Sequence, residues 1–545
     1  MSVVYFLLMV GALVTVHELG HFLMARAVGV KVLRFSLGFG PALVSLRRGD
    51  TEYRIGVVPL GGYVRMCGED PAEAFAEADR DRAFSEKSLP ARLAVVFAGP
   101  AANLLCALGI YFALFAGQRE LPAAVIGDVL AGGPAARAGV QPGDRVVEIN
   151  GRLVRYWEEL EERVGAGAGN MLRFKLLRDR REVYAYITPA TQVLRNRAGE
   201  QSRQGLIGIT QAPRAAQIGV LDPSSPAGRA GLRTGDRIIA VGGRPIDSFD
   251  EMRRELGRSR LRTQIAYLRP RRAAVDFADI SVAEAGLADL LYEGRAGHDI
   301  GIAPAELFVA TVEADSPAAA AGLRPGDMVT SLDGAPVAHW LLLEQALLAA
   351  PDREFRLAWR RARPGGGDQL LEATLRQDRR QVTDEYGQRH QAVIFGARNE
   401  LASGAGVMVP IEGRWTRAAA QAVERTGETV GLMARAFVLL LGGELPHDTV
   451  GGPIMVYQMA SVSGAKGWDA FLLMLALVSI NLGLINLLPI PALDGGHVVV
   501  FAVEALRRRR LSPRARDGVA MAGVVLIVSL TVLALRNDIV RYLLR

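Results

Sequence analysis

The stretch LVTVHELGHFLM, Leu13 to Met24, decides how this chain is read. On a helix, positions four apart share a face, so His17 and His21 can point two imidazoles at one metal ion. Glu18 follows the first histidine, where it can act as general base on water held at that metal. The surrounding residues from Met1 to Met24 are otherwise nearly all apolar. An ionisable group inside a membrane span costs about 2.5–3.5 kcal/mol and generally marks a functional site. A hydrolytic metal site in lipid implies cleavage of peptide bonds in or near the bilayer. The alternative is a chance occurrence of the pattern on a buried helix, and with only seven histidines in the chain that alternative is weak.

At 545 residues the chain has room for about three or four domains. Half of it is hydrophobic while 22% is charged, so the apolar residues must be concentrated in segments. The net charge of +7 could suggest nucleic acid. No nucleic-acid motif accompanies it, and much of the charge flanks apolar spans, where it reads as membrane topology. Cys67 and Cys106 lie in unlike contexts, which argues against a disulfide framework or a cysteine zinc site.

About four segments approach the roughly 20 residues needed to cross the hydrocarbon core: Val3 to Val28, Leu93 to Ala116, Phe471 to Leu493 and Val519 to Leu535. The first sits where a signal peptide would, but it lacks a basic start and a cleavage site, and it holds the candidate site; it is expected to be retained. Met433 to Leu441, preceded by Arg417, Glu424, Arg425 and Glu428, suits an interfacial amphipathic helix better than a span. The densest basic cluster, Arg507 to Arg510 with Arg514 and Arg516, puts the loop between the last two spans in the cytoplasm. Lys31 to Pro90 then also faces the cytoplasm. Gln118 to Trp468 and both termini fall on the outer side.

That outer region repeats itself. GGPAARAGVQPGDRVVEINGRLV (132–154), SSPAGRAGLRTGDRIIAVGGRPI (224–246) and DSPAAAAGLRPGDMVTSLDGAPV (315–337) place Gly139, Gly231 and Gly322 at intervals of 92 and 91 residues. Such a period is a small globular domain in three copies, each a short helix, a Gly-Asp turn, an alternating strand and another turn. It resembles the PDZ domain of bacterial periplasmic proteases, which often takes an extended peptide onto a sheet edge. Any one copy could equally be a spacer or a steric filter.

The third span runs into NLGLINLLPIPALDGGH, Asn481 to His497. Zinc needs a third protein ligand while one position stays open for water. Asp494, following the helix-breaking Pro489 and Pro491, is the best candidate, because the topology brings it to the depth of His17 and His21. A simple turn after a span is the competing account of Asp494-Gly495.

HELGH in the first span, AGPAAN (Ala98 to Asn103) in the second and NLLPIPALDGGH in the third together resemble the site-2 protease family of intramembrane zinc metalloproteases. The insertion between spans two and three is similar to the regulator of sigma-E protease branch. The resemblance implies Zn2+ held by His17, His21 and Asp494, with Glu18 as catalytic base. It also implies that Asn486 of the NxxPxPxLDG pattern helps to hold substrate; Asn481, Pro489 and Asn103 are carried as further substrate-side candidates. For Asn103 and Asn481 an interhelical hydrogen bond is an equal alternative. In the family, a hairpin in the Arg34 to Cys67 region, with GFGP (38–41) and PLGGYV (59–64), enters the membrane beside the site. Gly451-Gly452-Pro453 resembles the family's turn before the third span. Three copies of the repeat, where one or two would be typical, leave the chemistry intact and the rules of substrate access open.

The expected fold is a multi-domain membrane protein: an α-helical transmembrane core of about four helices with a membrane-associated β-hairpin, plus three PDZ-like α/β domains on the outer side. Boundaries are expected at 1–117 (two spans and hairpin), 118–200, 201–300 and 301–400 (the repeats), 401–465 (amphipathic helix and linker) and 466–545 (two spans). The expected function is regulated intramembrane proteolysis in the bacterial inner membrane, with the site toward the cytoplasm. Expected substrates are single-span membrane proteins, such as anti-sigma factors already trimmed by another protease, or remnant signal peptides. Expected partners are those substrates, the lipid bilayer and C-terminal peptides at the PDZ-like copies, with no nucleic acid. A non-catalytic scaffold would have no use for three ligands and a base in lipid. A sensor that binds exposed C-termini could coexist with proteolysis.

Overall fold

The computed structural model describes residues 1–69, 75–195, 201–258, 262–275, 278–291, 300–384, 389–399, 406–443, 449–509 and 511–542. Arg510 of the basic cluster and the boundary residues 200 and 400 lie outside them. The chain divides into two compact units, one of Met1–Arg119, Thr383–Arg389 and Ile411–Arg545, the other of Glu120–Val382 and His390–Pro410.

The first unit is a helical bundle with a small sheet. Its helices are α1 (Ser2–Ala27), α2 (Leu89–Gly117), α3 (Arg414–Leu441), α4 (Pro453–Ala465), α5 (Trp468–Asn486), α6 (Asp494–Arg507) and α7 (Pro513–Tyr542). Helices α1, α2 and α5, together with Gly518–Tyr542 of α7, are long and apolar enough to cross a membrane. The third apolar segment ends as a helix at Asn486, short of the Leu493 read from hydropathy, and Asp494 opens a separate helix, α6. Prolines at 489 and 491 have no N–H to continue the ladder, which is why the chain turns there. The amphipathic stretch is one long helix, α3, starting at Arg414 rather than near Met433.

Helix α4 was not legible in the sequence, where Gly451-Gly452-Pro453 read only as a turn. Pro453 starts it, and the buried Asp538 of α7 accepts hydrogen bonds from the Gly452, Ile454 and Met455 N–H groups at 2.9–3.2 Å. A carboxylate at a helix N-terminus satisfies donors that have no partner inside the helix and complements its dipole.

Strands β1 (Val32–Arg48) and β2 (Thr51–Met66) form more than a simple hairpin. Residues 34–37 pair with 62–65 on one side and with 52–55 on the other, while 44–48 return along 51–55. Both strands therefore bend, and four short segments lie side by side. The outward part carries exposed Leu43, Val44, Leu46, Ile55, Val57 and Val58.

The second unit holds the three repeats, each with its own buried core, centred on Trp157 and Phe174, on Phe249 and Ile265, and on Trp340 and Phe355. The short helices expected from PAxxAG are present at Pro134–Arg137, Pro226–Arg229 and Pro317–Ala320. A longer helix follows in each copy (Trp157–Ala166, Phe249–Arg258, Trp340–Ala349) over a four-stranded antiparallel sheet of the same strand order. One clamp recurs in all three. Asp144, Asp236 and Asp327, each at most 2% exposed, receive both Nε and Nη2 of Arg178, Arg269 and Arg361 at 2.7 Å. The same guanidinium donates to the carbonyl of Gly139, Gly231 or Gly322. Those glycines end the short helices at positive φ, 75–88°, a conformation side chains disfavour. The copies also meet at a shared ionic cluster. Arg214 Nε lies 2.6 Å from Glu306 Oε1, and His339 lies 3.2 Å from Glu306 and 3.5 Å from Asp128.

Candidate metal centre

Two small residues let α1 and α2 come close enough to build a site. A Cβ at Gly20 would lie 2.2 Å from the Ala98 carbonyl oxygen. A Cβ at Gly99 would lie 2.2 Å from His21 Nε2. The glycine of AGPAAN is thus the floor on which the His21 imidazole rests. His21 Nδ1 donates to the Val95 carbonyl at 2.8 Å. A carbonyl can only accept, so Nδ1 carries the proton and Nε2 offers its lone pair. Pro100 inside α2 supplies no N–H to the Val96 carbonyl four residues before it.

The third group comes from the other end of the chain. Between α5 and α6 the backbone folds back tightly, with Ala492 at φ 92°. Gly495 and Gly496 pass so near the carbonyls of Leu487, Leu488 and Ile490 that a Cβ at either would lie 2.2–2.4 Å from them. Asp494 stands in the first turn of α6, where the helix dipole favours a carboxylate. Its Oδ2 is 3.2 Å from His17 Nε2 and 3.5 Å from His21 Nε2, and the two Nε2 atoms are 3.2 Å apart.

The donor set fits a divalent cation. One ligand atom from each of His17, His21 and Asp494 lies within 4.8 Å of the others, the only such trio among the described residues. Asp494 Oδ2 is buried with no hydrogen-bond donor. Two imidazole nitrogens and one carboxylate oxygen are a zinc set that leaves a fourth position for water.

Glu18 sits beside this trio against β2. The Val64 N–H faces its carboxylate, and a Cβ at Gly62 would lie 3.2 Å from its Cγ. His17, Glu18, His21 and Asp494 open on a cavity of about 780 Å³, whose wall also includes Tyr63, Met66, Glu69, Arg92, His497 and Phe501. The sequence reading missed Glu69 and Arg92. The Met66 N–H donates to the Glu69 carboxylate at 3.0 Å. Arg92 lies over the Phe501 ring, 4.7 Å from its centroid, and 3.8 Å from Glu504.

Of the substrate-side candidates, Asn486 Nδ2 lies 3.3 Å from His17 Nε2, on the metal side of the ring. Asn103 is fully buried and touches His17 from behind, at Nδ1. None of the four candidates, Asn486, Asn103, Asn481 or Pro489, is part of the cavity wall.

Curated relatives align along almost their whole length. A Neisseria meningitidis protein with the name "Putative zinc metalloprotease" is 30% identical, with 97% of each chain covered. The regulator of sigma-E protease RseP of Escherichia coli is 28% identical over 98% of each chain, as is the regulator of sigma E protease of Salmonella typhi. The sequence model of peptidase family M50 matches residues 5–530, and this chain, a zinc metalloprotease, belongs to that family.

Proposed function

We propose that this protein is an intramembrane endopeptidase that cleaves single-span membrane proteins, with His17, His21 and Asp494 holding zinc and Glu18 as the base. The observation that carries the proposal is that Asp494 of α6 comes within reach of His17 and His21, which stand on a helix long and apolar enough to span a bilayer. Zinc, when bound, acidifies water and polarises the scissile carbonyl. Glu18 takes the proton from that water and returns it to the leaving amine. Asn486, on the metal side of His17, holds the substrate backbone beside the reacting carbonyl.

A transmembrane substrate arrives as a helix, whose hydrogen bonds hide the scissile bond. The 62–66 edge of β2 carries the Tyr63, Val64 and Met66 wall of the cavity and suits pairing with an unwound strand. The three repeats are PDZ-like domains on the outer side of a bacterial inner membrane, and they control which substrates enter by refusing bulky outer domains. The ionic cluster around Arg214 favours a joint action of the three copies over independent spacers. The catalytic site faces the cytoplasmic half of the bilayer. Anti-sigma factors shortened by another protease, and remnant signal peptides, meet these requirements.

The test uses detergent-purified protein and a model single-span substrate with and without a folded outer domain. Cleavage of the shortened substrate alone, lost in Glu18→Gln, is the expected result. Equal cleavage of both substrates would remove the filtering role, and failure to cleave a panel of shortened substrates would remove the substrate class.

A further inference from the structure

Both candidate histidine ligands need something behind them, and α2 supplies it twice. A neutral imidazole that offers Nε2 to a metal must carry its proton on Nδ1, and that proton needs an acceptor. For His21 the acceptor is the Val95 carbonyl, at 2.8 Å. For His17 the group in the matching place is the Asn103 side-chain amide, 3.2 Å from Nδ1.

Asn103 is anchored for such a task. It is fully buried on α2. Ser479 of α5 donates to its backbone carbonyl at 2.8 Å, and a Cβ at Gly483 of α5 would lie 3.4 Å from its Cβ. The amide atom drawn against His17 is Nδ2, and Oδ1 is buried without a hydrogen-bond partner. Half a turn about Cβ–Cγ exchanges the two atoms with no other movement, and heavy-atom shape does not distinguish them. The chemistry of His17 does. An amide NH2 facing Nδ1–H sets donor against donor, and an amide NH2 facing a bare Nδ1 places the proton on Nε2, where it blocks the metal.

We propose that Asn103 is the positioning residue of His17: its amide oxygen accepts the Nδ1 proton, fixing the tautomer and ring orientation that present Nε2 to the metal. This rests on the zinc reading above. It gives Asn103 a role through the ligand rather than through substrate. It also makes the last residue of AGPAAN, with Gly99 and Val95, part of one backstop on α2 for both imidazoles.

The test is zinc affinity by chelator competition on the purified full-length protein, compared with Asn103→Asp and Asn103→Leu, plus the visible spectrum of the cobalt-substituted forms. Aspartate keeps an acceptor of the same shape and removes the donor; leucine keeps bulk and removes both. Loss of such a partner typically costs 10- to 100-fold in metal affinity, so about that weakening and a changed cobalt spectrum are expected for Asn103→Leu. Asn103→Asp is expected to retain wild-type affinity and spectrum. Wild-type behaviour of Asn103→Leu overturns the proposal, and so does loss of affinity in Asn103→Asp, which alone decides if the leucine variant does not fold. A wild-type protein that takes up no zinc overturns the metalloprotease reading as well, so the two failures are distinct.

Discussion

His17 Nε2 lies 3.2 Å from Asp494 Oδ2, joining the first helix to a turn near the opposite end of the chain. The helical unit brings these two atoms, and His21 Nε2, to one point. The packing of α1 on α2 sets the two imidazoles, and the folded-back 487–496 segment sets the carboxylate. The arrangement therefore depends on backbone proximity as much as on the three candidate ligands themselves, and that dependence can be tested.

Gly99→Ala is predicted to disable the site without removing a ligand. The new methyl would come 2.2 Å from His21 Nε2, so the ring must move. Misplacement by about 1 Å can cost on the order of 100-fold in rate. Cleavage should fall by at least about that factor and zinc content should drop, while far-ultraviolet circular dichroism stays unchanged. Full activity would mean that His21 is not seated as described.

Asp538→Ala is predicted to destabilise the helical unit. It strips the acceptor from the N–H groups of Gly452, Ile454 and Met455 at the start of α4. Each buried donor left unpaired costs about 1–3 kcal/mol. Thermal unfolding in detergent should shift down by several degrees, and Asp538→Asn should recover part of the loss. An unchanged midpoint would show that water replaces the carboxylate.

Arg269→Met is predicted to unfold the second repeat selectively. It leaves Asp236, 1% exposed, without its guanidinium, and breaking a buried pair in this way costs about 3–5 kcal/mol. Limited proteolysis of the full chain should then cut within 215–290 first. The first and third repeats, with their own clamps and cores, should resist as before.

How much of this could be read from the chain follows from the range of each interaction. The pairing of His17 with His21 was legible because four-residue spacing on an apolar helix is a local pattern. Asp494 was legible only together with the histidines: the alternation of spans brings it to their depth, whereas alone it reads as a turn after a span. The short helix and first strand of each repeat were legible from three parallel copies. The Arg178, Arg269 and Arg361 clamps were missed, although each arginine follows its aspartate by 33 or 34 residues, a constancy that the same alignment of copies displays. The backing of His21 by Val95 and of His17 by Asn103 had no local signal, because each joins helices more than seventy residues apart. Helix α4 was hidden for the same reason: its start is stabilised by Asp538, which lies on α7.

Chelation is predicted to stop cleavage reversibly. Removing the metal leaves His17, His21 and Asp494 in place but takes away the Lewis acid, so stoichiometric zinc should restore the rate. Cleavage that persists in apoprotein with no residual zinc would exclude a metal-dependent reaction.

The most direct measurement is zinc content and peptide-bond cleavage on the same samples of wild-type protein and Glu18→Gln. Glu18 faces the cavity beside His17, His21 and Asp494 without being one of that converging trio. The account predicts one zinc per chain in both samples, with cleavage of a shortened single-span substrate by the wild type alone. Zinc-free wild-type protein under metal-replete conditions, or a Glu18→Gln variant that cleaves at the wild-type rate, would contradict it.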